Sequence, residues 1–529
     1  MLPLAIPDAF AAVAARRPAH PFLVFGDAET SYGEARERIG RVAAGLQRLG
    51  VEPGDRVACY LRNCPEFLWT WFAVNALGAT LVPVNTAFRV EEALYPVEHA
   101  GARFLVAGGE GFEVARDVYR QCGSLKELVV VGGGDWDRGV PFREVADEAP
   151  LDLEGRASPD AIASFIYTSG TTGRPKGVMQ PHRNYVLTGE GFRTWLDLGP
   201  EDRLMTPLPL FHINAQAYST MGALAAEATL VLLERFSVSG FWAEACRYGA
   251  TQANVIGSML ALLAKAPPGP EDRAHRLRLV YGAPVPREIF EPFEGRFGVT
   301  LVEGYGLSEC TFGTILPLRG VRKPGSMGLP RELPSRGIRN EMRVVAADGR
   351  ECAPGEVGEI VVRNPVVMAG YHADPGATQE ALRDGWLWTG DWGHRDADGY
   401  FYFADRRKDV IRRRGENIAS GEVEAVLDAH PAVLESAVVG VPSALSEDDV
   451  VAVVVPRSGP TPGETELIAW CAARLARFKV PSRVILTDAL PKTPTAKVQK
   501  DRLRAELRRA DGRSEGKWAA DEPRKIYSA

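Results

Sequence analysis

The segment from Tyr167 to Gly177, YTSGTTGRPKG, concentrates groups that can hold a phosphate. Its glycines let backbone N–H groups approach an anion closely, its hydroxyls add hydrogen-bond donors, and Lys176 adds a positive charge. It is not the GxxxxGK[ST] loop, because Pro175 stands where that loop has its second glycine. Surface linkers rarely combine an apolar strand, four Ser or Thr residues and a Pro-Lys-Gly ending. We therefore interpret the segment as a phosphate-binding loop.

The elements that must position this loop follow an alternation of short apolar strands and amphipathic helices, which is typical of an α/β fold. A helix is predicted over residues 31–49, and residues 267–270 are predicted to be a surface loop. Strands are predicted at 56–60, 104–107, 128–131, 161–167, 229–233, 277–281, 300–303 and 359–363. The phosphate-binding loop thus follows directly on a buried strand.

Composition restricts the class of protein. The 529 residues are 45% hydrophobic and 25% charged, which excludes disordered, collagen-like and coiled-coil chains. The net charge of −6 gives no indication of nucleic-acid binding. Seven scattered cysteines without a CxxC pair, and an N-terminus without a basic signal region, predict a reduced cytoplasmic protein.

Residues 67–84 are almost entirely apolar and approach the length of a membrane-spanning helix. Asn75 lies inside the segment, Gly78 favours a helix end, and Pro83 prevents the helix from continuing. We therefore predict a buried helix to about Leu77 and a buried strand from Thr80, and no membrane span.

The character of the chain changes after Arg406, where a strongly basic run begins. Beyond it the pattern predicts a compact unit with helices over 422–428 and 464–477 and strands over 435–441 and 450–456. Thr461 to Glu464 is predicted to form a capping box at the start of the second helix. The predicted domains are 1–408 and 409–509, with a polar tail over 510–529.

At this point the sequence resembles a known family, the adenylate-forming enzymes, from about residue 5 to residue 505. The phosphate-binding loop is joined by further motifs in the family's order: EGYGLSE (303–309), WTGD (388–391) and LPKTPTAK (490–497). Within the family the chain is most similar to acyl-CoA ligases of the crotonobetaine/carnitine-CoA ligase type. The resemblance implies a large N-terminal α/β domain and a small, hinged C-terminal α+β domain, with Asp409 as the hinge.

The resemblance implies a nucleotide site that binds ATP with Mg²⁺. Tyr305 is expected to face the adenine, and Glu309 to bind the Mg²⁺, a hard cation that prefers oxygen ligands. Asp391 is expected to bind both ribose hydroxyls, and Arg406 to lie near the ribose and phosphates. Ser308 replaces a threonine of the family and keeps the hydroxyl. The expected nucleotide-binding residues are Thr168, Ser169, Gly170, Thr171, Thr172, Gly173, Lys176, Gly282, Ala283, Pro284, Glu303, Gly304, Tyr305, Gly306, Ser308, Asp391, Arg406, Gly415 and Glu416.

The resemblance also assigns the catalytic groups: Lys497, Glu309, Arg406 and Lys176. Lys497 falls on the family's lysine that stabilises charge as the carboxylate attacks the α-phosphorus. Ala496 stands in place of the family's glycine before that lysine, and Arg412, Arg413 and Arg414 also depart from the family pattern.

The acyl pocket is expected near PLFH (209–212), which resembles the segment that gates it. His212 stands where amino-acid-activating relatives have an Asp, which argues against an amino-acid substrate. Gly257 stands where the family commonly has proline, and with Ser258 it predicts a roomy pocket. The expected substrate-binding residues are His212, Asn214, Ala215, Ile256, Gly257, Ser258, Gly282, Gly306, Thr311 and Phe312.

The implied reaction joins a non-amino carboxylic acid to CoA through an acyl-AMP, with ATP, Mg²⁺ and CoA as the required small molecules. Two alternatives within the family stay open: thioesterification of an acyl-AMP supplied by another enzyme, and loading of a carrier protein. A luciferase-like oxygenase and an adenylate-binding protein without turnover are further alternatives. The sequence names neither the acid nor the oligomeric state, for which a homodimer is one option.

Overall fold

The computed structural model describes residues 1–132, 139–168, 175–285, 287–406, 411–413, 416–418, 420–442, 448–475, 477, 479–493 and 497–512. The chain divides into two compact units. The first comprises Met1–Met342, Val361–Thr389 and Gly399–Phe401, and the second comprises Arg343–Ile360, Gly390–Asp398 and the described residues from Tyr402 onward. The predicted hinge, Asp409, lies outside the described residues.

The helices begin and end where the sequence supplies caps and breakers. The helix predicted from residue 31 starts at Tyr32, because Ser31 and Glu34 form a reciprocal capping box around its first turn. The α-helices, numbered α1–α15 in chain order, are Ile6–Arg16, Tyr32–Arg48, Pro65–Ala76, Val90–His99, Phe112–Gln121, Phe142–Val145, His182–Trp195, Met221–Ala226, Phe241–Arg247, Gly257–Lys265, Arg287–Phe297, Pro375–Ala381, Ser420–Asp428, Glu464–Ala472 and Lys500–Gly512.

The predicted strands are present, several with slightly different ends. The described strands, numbered β1–β27 in chain order, are Pro21–Phe25, Ala28–Ser31, Arg56–Tyr60, Thr80–Pro83, Phe104–Gly108, Glu127–Val131, Val140–Pro141, Ile162–Thr168, Lys176–Pro181, Arg203–Thr206, Thr229–Leu232, Gln252–Asn254, Leu279–Gly282, Thr300–Leu307, Cys310–Ile315, Leu329–Pro330, Glu341–Val345, Gly358–Arg363, Gly370–Tyr371, Leu382–Arg383, Trp386–Arg395, Phe401–Arg406, Ile411–Arg413, Glu416–Ile418, Val433–Pro442, Asp448–Pro456 and Arg483–Leu486.

Two large sheets form the first unit. Among the described residues, one has the order β16-β15-β14-β13-β12-β10-β11-β1-β2 and the other β19-β9-β8-β4-β3-β5-β6-β7. The first sheet is parallel in the middle and antiparallel at both edges, whereas the second is antiparallel only at the edge formed by β19, β9 and β8. The central parallel strands β3, β4 and β5 are largely apolar and buried, as expected for strands that helices cover on both sides.

Strand β14 is longer than predicted, running to Leu307 rather than ending at Glu303. Its second half pairs antiparallel with β15, which the sequence analysis did not anticipate, with Gly304 opposite Ile315 and Tyr305 opposite Thr314. Glycines at 304 and 306 weaken the local strand signal, so only the pairing partner decides that the strand continues. The candidate motif 303–309 thereby lies on a β-hairpin.

A five-stranded sheet takes the order β17-β18-β21-β20, with β22 pairing β21. In the second unit, β25 and β26 are antiparallel, β26 and β27 are parallel, and β23 and β24 form a separate pair. Helix α14 ends at Ala472, earlier than predicted. The predicted capping box is wrong, because the N-cap is Gly463, whose N–H donates to Glu466 Oε2 at 3.3 Å.

The apolar segment 67–84 folds as predicted into α3, which ends at Ala76, and β4, which begins at Thr80. Asn75 is fully buried, and its amide donates to the carbonyls of Ala79 and Ala163 at 3.3 and 2.8 Å. Among the described helices, none is both long enough and apolar enough to cross a membrane. With its two large sheets and smaller α+β unit, the structure confirms the predicted fold class.

Candidate active site

The phosphate-binding loop connects two antiparallel strands. Strand β8 ends at Thr168 directly opposite Lys176, where β9 begins, and Tyr167 faces Gly177. The loop residues expected to bind phosphate, Ser169, Gly170, Thr171, Thr172 and Gly173, lie outside the described residues. The register of the two strands fixes the points at which the loop leaves and re-enters the sheet.

Two histidines, His372 and His99, contact the base of this hairpin. The N–H of His372 donates to the carbonyl of Gly177 at 2.8 Å, and the His372 ring stacks on Phe165 at 4.3 Å between centroids. The Tyr167 hydroxyl lies 2.8 Å from Nδ1 of His99. Burial, together with the nearby His99, lowers the pKa of His372, which favours the neutral imidazole.

Tyr371 brings Lys176 and Glu309 to the same place. Its hydroxyl donates to Glu309 Oε1 at 2.9 Å, and Lys176 Nζ lies 4.9 Å from the centre of its ring. Burial, with the neighbouring Glu309 carboxylate, raises the pKa of Tyr371 well above its usual value, so the hydroxyl keeps its proton. The structure thus assembles a cation and a carboxylate around one tyrosine.

Two amide side chains fix the segment that carries Glu309. Gln180 on β9 donates to the carbonyl of Ser308. Asn184 on α7 donates to Gln180 Oε1 at 2.8 Å and to the carbonyl of Val366 at 2.9 Å. The sequence analysis missed Tyr371, Gln180 and Asn184. The only local signal was a polar residue, Gln180, in an otherwise apolar strand.

Glu303 lies against the segment expected to line the nucleotide. Glu303 and Gly282 are register partners on β14 and β13, and the N–H of Val285 donates to Glu303 Oε1 at 3.1 Å. The side chain is 4% exposed, and its Oε2 has no hydrogen-bond partner among the described residues. Burial raises the pKa of Glu303 to about 8, which favours the protonated carboxyl near neutral pH. Tyr305, two residues further along β14, is 8% exposed.

The expected acyl-pocket residues lie on several elements, including α10, β13, β14, β15 and a π-helical turn over Ala215–Thr220. The hydroxyls of Thr311 and Thr188 are 2.6 Å apart, and the fully buried Phe312 packs edge-on against Trp195 at 4.6 Å. The His212 ring lies 4.6 Å from that of Phe211. Asn214 and Ile256 are half-buried and Ala215 is buried.

The expectation that Gly257 leaves volume free is wrong. A Cβ atom at residue 257 would overlap the carbonyl oxygen of Pro284, so backbone already fills that space. Similar contacts surround two other expected pocket glycines: a Cβ at 282 would lie 2.7 Å from Leu260 Cδ1, and one at 306 would lie 2.5 Å from Tyr218 Oη. These glycines allow close packing and do not enlarge a pocket.

The second unit contains the expected ribose ligand. Asp391 on β21 is 6% exposed. The N–H of the preceding Gly390 donates to Oε1 of the buried Glu359 on β18 at 3.0 Å, which fixes the backbone beside Asp391. Arg406 is the last residue of β22, and Glu416 begins β24, but the side chains of both lie outside the description. Gly415 and Arg414 lie outside it entirely.

Lys497 is exposed and its main chain is held by Thr493. The N–H of Thr493 donates to the Lys497 carbonyl at 2.7 Å, and the N–H of Lys497 donates to Thr493 Oγ1 at 3.1 Å. Lys492 and Val498 form an antiparallel bridge next to this pair. Residues 494–496, which lie between Thr493 and Lys497 and include Ala496, are outside the described residues.

The donor set around Glu309 suits Mg²⁺ carried by a nucleotide. Groups of three or more His, Cys, Asp or Glu side chains that could hold a metal are absent from the described residues. Mg²⁺ is commonly held by one or two carboxylates together with substrate phosphates and water, so a single glutamate is sufficient. Bound there, the ion would supply charge neutralisation on the phosphates.

Comparison with known proteins gives the family. Residues 10–372 match the AMP-binding enzyme family, and residues 422–497 match the AMP-binding enzyme C-terminal domain. Over 485 residues the chain is 35% identical to the crotonobetaine/carnitine–CoA ligase of Salmonella paratyphi A, covering 90% of this chain and 93% of that protein.

Two solved structures are similar over nearly the whole chain. ATP-bound MatB from Rhodopseudomonas palustris has a TM-score of 0.85 and 29% identity, covering 94% of this chain and 98% of that one. The anthranilate CoA ligase AuaEII with anthranoyl-AMP has a TM-score of 0.88 and 26% identity, covering 97% and 99%.

Fold and site together define an adenylate-forming ligase. The chain belongs to the AMP-binding enzyme family. Within that family it is an ATP-dependent, AMP-forming acyl-CoA synthetase, and its small-molecule requirements are ATP, Mg²⁺ and CoA.

Proposed function

We propose that the enzyme activates a non-amino carboxylic acid in two steps, with the residue roles predicted from its motifs. The carboxylate oxygen attacks the α-phosphorus of MgATP, which forms acyl-AMP and releases pyrophosphate. The CoA thiol then attacks the acyl carbon, which forms the thioester and releases AMP. The observation that carries this proposal is the meeting of Lys176 and Glu309 at Tyr371, because phosphate and metal groups must lie side by side to bind MgATP.

In the first step, the backbone and hydroxyls from Thr168 to Gly173 hold the phosphates together with Lys176. Glu309, oriented by Tyr371, provides an oxygen ligand for the Mg²⁺. Asp391 accepts hydrogen bonds from the ribose diol, which a carboxylate can do with both oxygens. Lys497 and Arg406 face the negative charge that develops on the α-phosphate, and a preorganised cation stabilises such charge.

In the second step, the domain 409–509 rotates on domain 1–408 at Asp409, so that residues near Gly415 replace Lys497 beside the adenylate. One set of groups cannot serve both steps without moving, which is why such a hinge is required. The support for this part is the family match of two separate domain regions, 10–372 and 422–497.

The acid is a small organic acid other than an amino acid. His212, in place of an Asp, provides no anionic partner for a substrate ammonium. The relatives described above are named for crotonobetaine, carnitine and anthranilate, all joined to CoA. These relatives favour CoA as the acceptor over a carrier protein, and they favour full ligation over use of supplied acyl-AMP.

The test is a product analysis with purified enzyme, MgATP, CoA and a panel of carboxylic acids. We expect AMP, pyrophosphate and acyl-CoA in equal amounts with at least one acid, and neither ADP nor transfer to a carrier protein. Formation of ADP, or of AMP without thioester, would contradict the proposal. Light scattering on the same sample reports whether the enzyme is a homodimer, and cell fractionation tests the proposed cytoplasmic location.

A further inference from the structure

Side chains hold the backbone of the segment expected to gate the acyl pocket. This gate segment, residues 208–212, includes PLFH and lies in the irregular stretch between β10 and the π-helical turn. Buried backbone groups need hydrogen-bond partners, and a segment outside helices and sheets must find them elsewhere. Leu210, at its centre, is buried. The Leu210 N–H donates to Asn63 Oδ1 at 2.8 Å, and its carbonyl accepts from Gln216 Nε2 at 2.7 Å.

Asn63 ties the gate segment to the end of a strand. Its side chain is buried, and its Nδ2 donates to the carbonyl of Leu208 at 3.0 Å and to that of Leu233 at 2.9 Å. Leu233 directly follows β11. One amide therefore holds two residues of the gate segment, Leu208 and Leu210, against a neighbouring element.

Gln216 ties the gate segment to the strand that leads into the phosphate-binding loop. The Oε1 of the fully buried Gln216 accepts from the hydroxyl of Tyr185 on α7 at 2.6 Å. The same hydroxyl lies 2.5 Å from Oγ of Ser164 on β8. Burial raises the pKa of Tyr185 well above its usual value, so the hydroxyl keeps the proton that it donates. A buried chain of hydrogen bonds thus runs from β8 to the carbonyl of Leu210.

The π-helical turn gives Gln216 a well-supported position. Ser219, on this turn, accepts from Asn254 Nδ2 on β12 at 2.7 Å, and the Tyr218 hydroxyl donates to the carbonyl of Thr311 on β15 at 2.7 Å. Turns of this kind are rare and often lie at functional sites. Gln216 therefore holds the gate segment from a turn that is itself bound to two strands of one sheet.

The two ends of the hydrogen-bond chain differ in how firmly they are held. Ser164 pairs with Leu81 on β4 and with Gln180 on β9, so β8 is fixed from both sides. Within the described residues, the gate segment pairs with no strand. Loss of the Gln216 link should therefore displace the gate segment and leave β8 in place.

We propose that Gln216, together with Asn63, is a positioning residue for the acid, because it holds the backbone of Leu210 and so sets where the gate segment places His212. The effect on the acid rests on the proposed function, whereas the hold on the backbone does not. A misplacement of about 1 Å near reacting groups can cost roughly 10²-fold in rate. Since β8 stays in its sheet, ATP binding should be unaffected.

The first test examines the gate segment without any substrate. Gln216→Met keeps a similar side-chain length and removes both hydrogen bonds. A buried polar group that loses its partner weakens the buried state by about tenfold or more. We expect hydrogen–deuterium exchange in peptides covering residues 207–214 to be at least about tenfold faster, and exchange over residues 162–168 to be unchanged. Unchanged exchange at 207–214, or equal acceleration along the whole chain, would overturn the proposal.

The second test separates the acid from ATP in the steady-state kinetics. With the most active of crotonobetaine, anthranilate, butanoate and benzoate, we expect Gln216→Met to raise KM for the acid about tenfold and to leave KM for ATP unchanged. An equal rise in both constants would overturn the proposal. Absence of acyl-CoA with all four acids would count against the proposed function, while the exchange measurement would still decide this inference.

A conservative variant tests whether the hydrogen bonds themselves are needed. At pH 6 a fully buried carboxyl keeps its proton, so Gln216→Glu can still donate to the Leu210 carbonyl and accept from Tyr185. We expect its KM for the acid and its exchange at 207–214 to match the parent at this pH. Values like those of Gln216→Met would contradict the assigned role.

Asn75→Leu is the matched control. Asn75 is also a fully buried amide, and it donates to the carbonyls of Ala79 and of Ala163 on β8, outside the gate segment. This variant should lower the unfolding midpoint without raising KM for the acid, and an equal rise would show that general loosening explains the effect.

A second variant covers the case in which Gln216→Met does not fold. Tyr185→Phe removes only the hydroxyl between Ser164 and Gln216. It should change the exchange at 207–214 and KM for the acid in the same direction as Gln216→Met, by a smaller factor. No change in either quantity would overturn the proposal.

Discussion

The hydroxyl of Tyr371 donates a hydrogen bond of 2.9 Å to Oε1 of Glu309, a residue 62 positions earlier in the chain. The same ring lies under the ammonium of Lys176. The N–H of Met368 also donates to the Glu309 carbonyl at 2.8 Å, so both the backbone and the side chain of Glu309 are fixed. A carboxylate held in this way is oriented before the metal nucleotide arrives.

We expect Tyr371→Phe to weaken Mg²⁺ binding, so that the apparent Mg²⁺ constant rises about tenfold, because one hydrogen bond to a charged group is worth about 1.5–3 kcal/mol. The measurement is the apparent Mg²⁺ constant of acyl-AMP formation at fixed ATP. Tyr119→Phe is a matched control, since its hydroxyl donates to a backbone carbonyl, that of Lys126, on the surface. Equal constants for both variants and the parent would show that Tyr371 has no role in metal binding.

Glu309→Gln should reduce MgATP use more strongly than Tyr371→Phe, since it removes the charged oxygen ligand itself. The double variant should then resemble Glu309→Gln alone, because Tyr371 acts on the metal only through Glu309. Strict additivity of the two effects would contradict this arrangement. Identical Mg²⁺ dependence in Glu309→Gln and the parent would show that Glu309 is not the metal ligand.

Asp391→Ala should impair nucleotide binding more than acid binding. Two hydrogen bonds from the ribose diol to a charged partner would be lost, which predicts a decrease of at least 10²-fold in affinity for ATP and acyl-AMP. Calorimetric titration of ATP measures this directly. Asp398→Ala, at an exposed turn of the same unit, is the control and should bind ATP normally. Unchanged affinity in Asp391→Ala would show that Asp391 does not bind the ribose and has only a structural role in its turn.

Glu303 should make the stability of the protein depend on pH. Burial raises the pKa of its carboxyl to about 8, above that of the unfolded chain, so the folded state holds a proton that the unfolded state releases. The stability that the protonated Glu303 carboxyl contributes is fully present below about pH 4.5 and is lost as the pH rises to about 8.

Charged and titratable side chains on the packed elements do not pair with this carboxyl in the described structure. Tyr281 and Arg331 lie against Gly304, the neighbouring residue of the strand, while Arg287, Glu288 and Glu291 on α11 are exposed. Glu294 and Arg296, also on α11, pair with Arg322 and Asp272, and Cys310 on β15 contacts Asn364.

Glu303→Gln, an uncharged isostere, should therefore flatten the decline of the thermal unfolding midpoint between pH 5 and pH 8. Differential scanning calorimetry at several pH values checks this. Parallel curves for Glu303→Gln and the parent would mean that Glu303 is ionised in the folded protein.

Lys497 should matter for only one of the two half-reactions. We expect Lys497→Ala to slow acyl-AMP formation by about 10²- to 10³-fold, as for loss of a group that stabilises developing charge, and to leave thioester formation from supplied acyl-AMP nearly unchanged. Single-turnover measurements of each half-reaction separate the two. Equal loss in both would show that Lys497 supports the fold of its domain.

Ala496→Gly, tested by the same single-turnover measurements, asks whether the residue before Lys497 limits adenylation. If that position needs a positive φ, alanine costs about 1 kcal/mol or more, and the glycine variant should form acyl-AMP faster than the parent. Equal rates in the two proteins would show that alanine is tolerated there.

The sequence alone determined the fold class, the strand that leads into the phosphate-binding loop and the absence of a membrane span in residues 67–84. These features depend on local patterns: an apolar run before Thr168, or Gly78 and Pro83 within a hydrophobic stretch. The family motifs also predicted which residue types the site would need.

Only the tertiary structure decided which residues meet. Tyr371 and Asn184 carry no local signal, because their roles depend on segments that meet across large separations in sequence. The volume at Gly257 is another such case, since a missing side chain opens a pocket only if no other atom fills the space, and Pro284 fills it. Hydrophobic periodicity is a property of neighbouring residues, whereas burial of a charge and closure of a pocket depend on how distant segments pack.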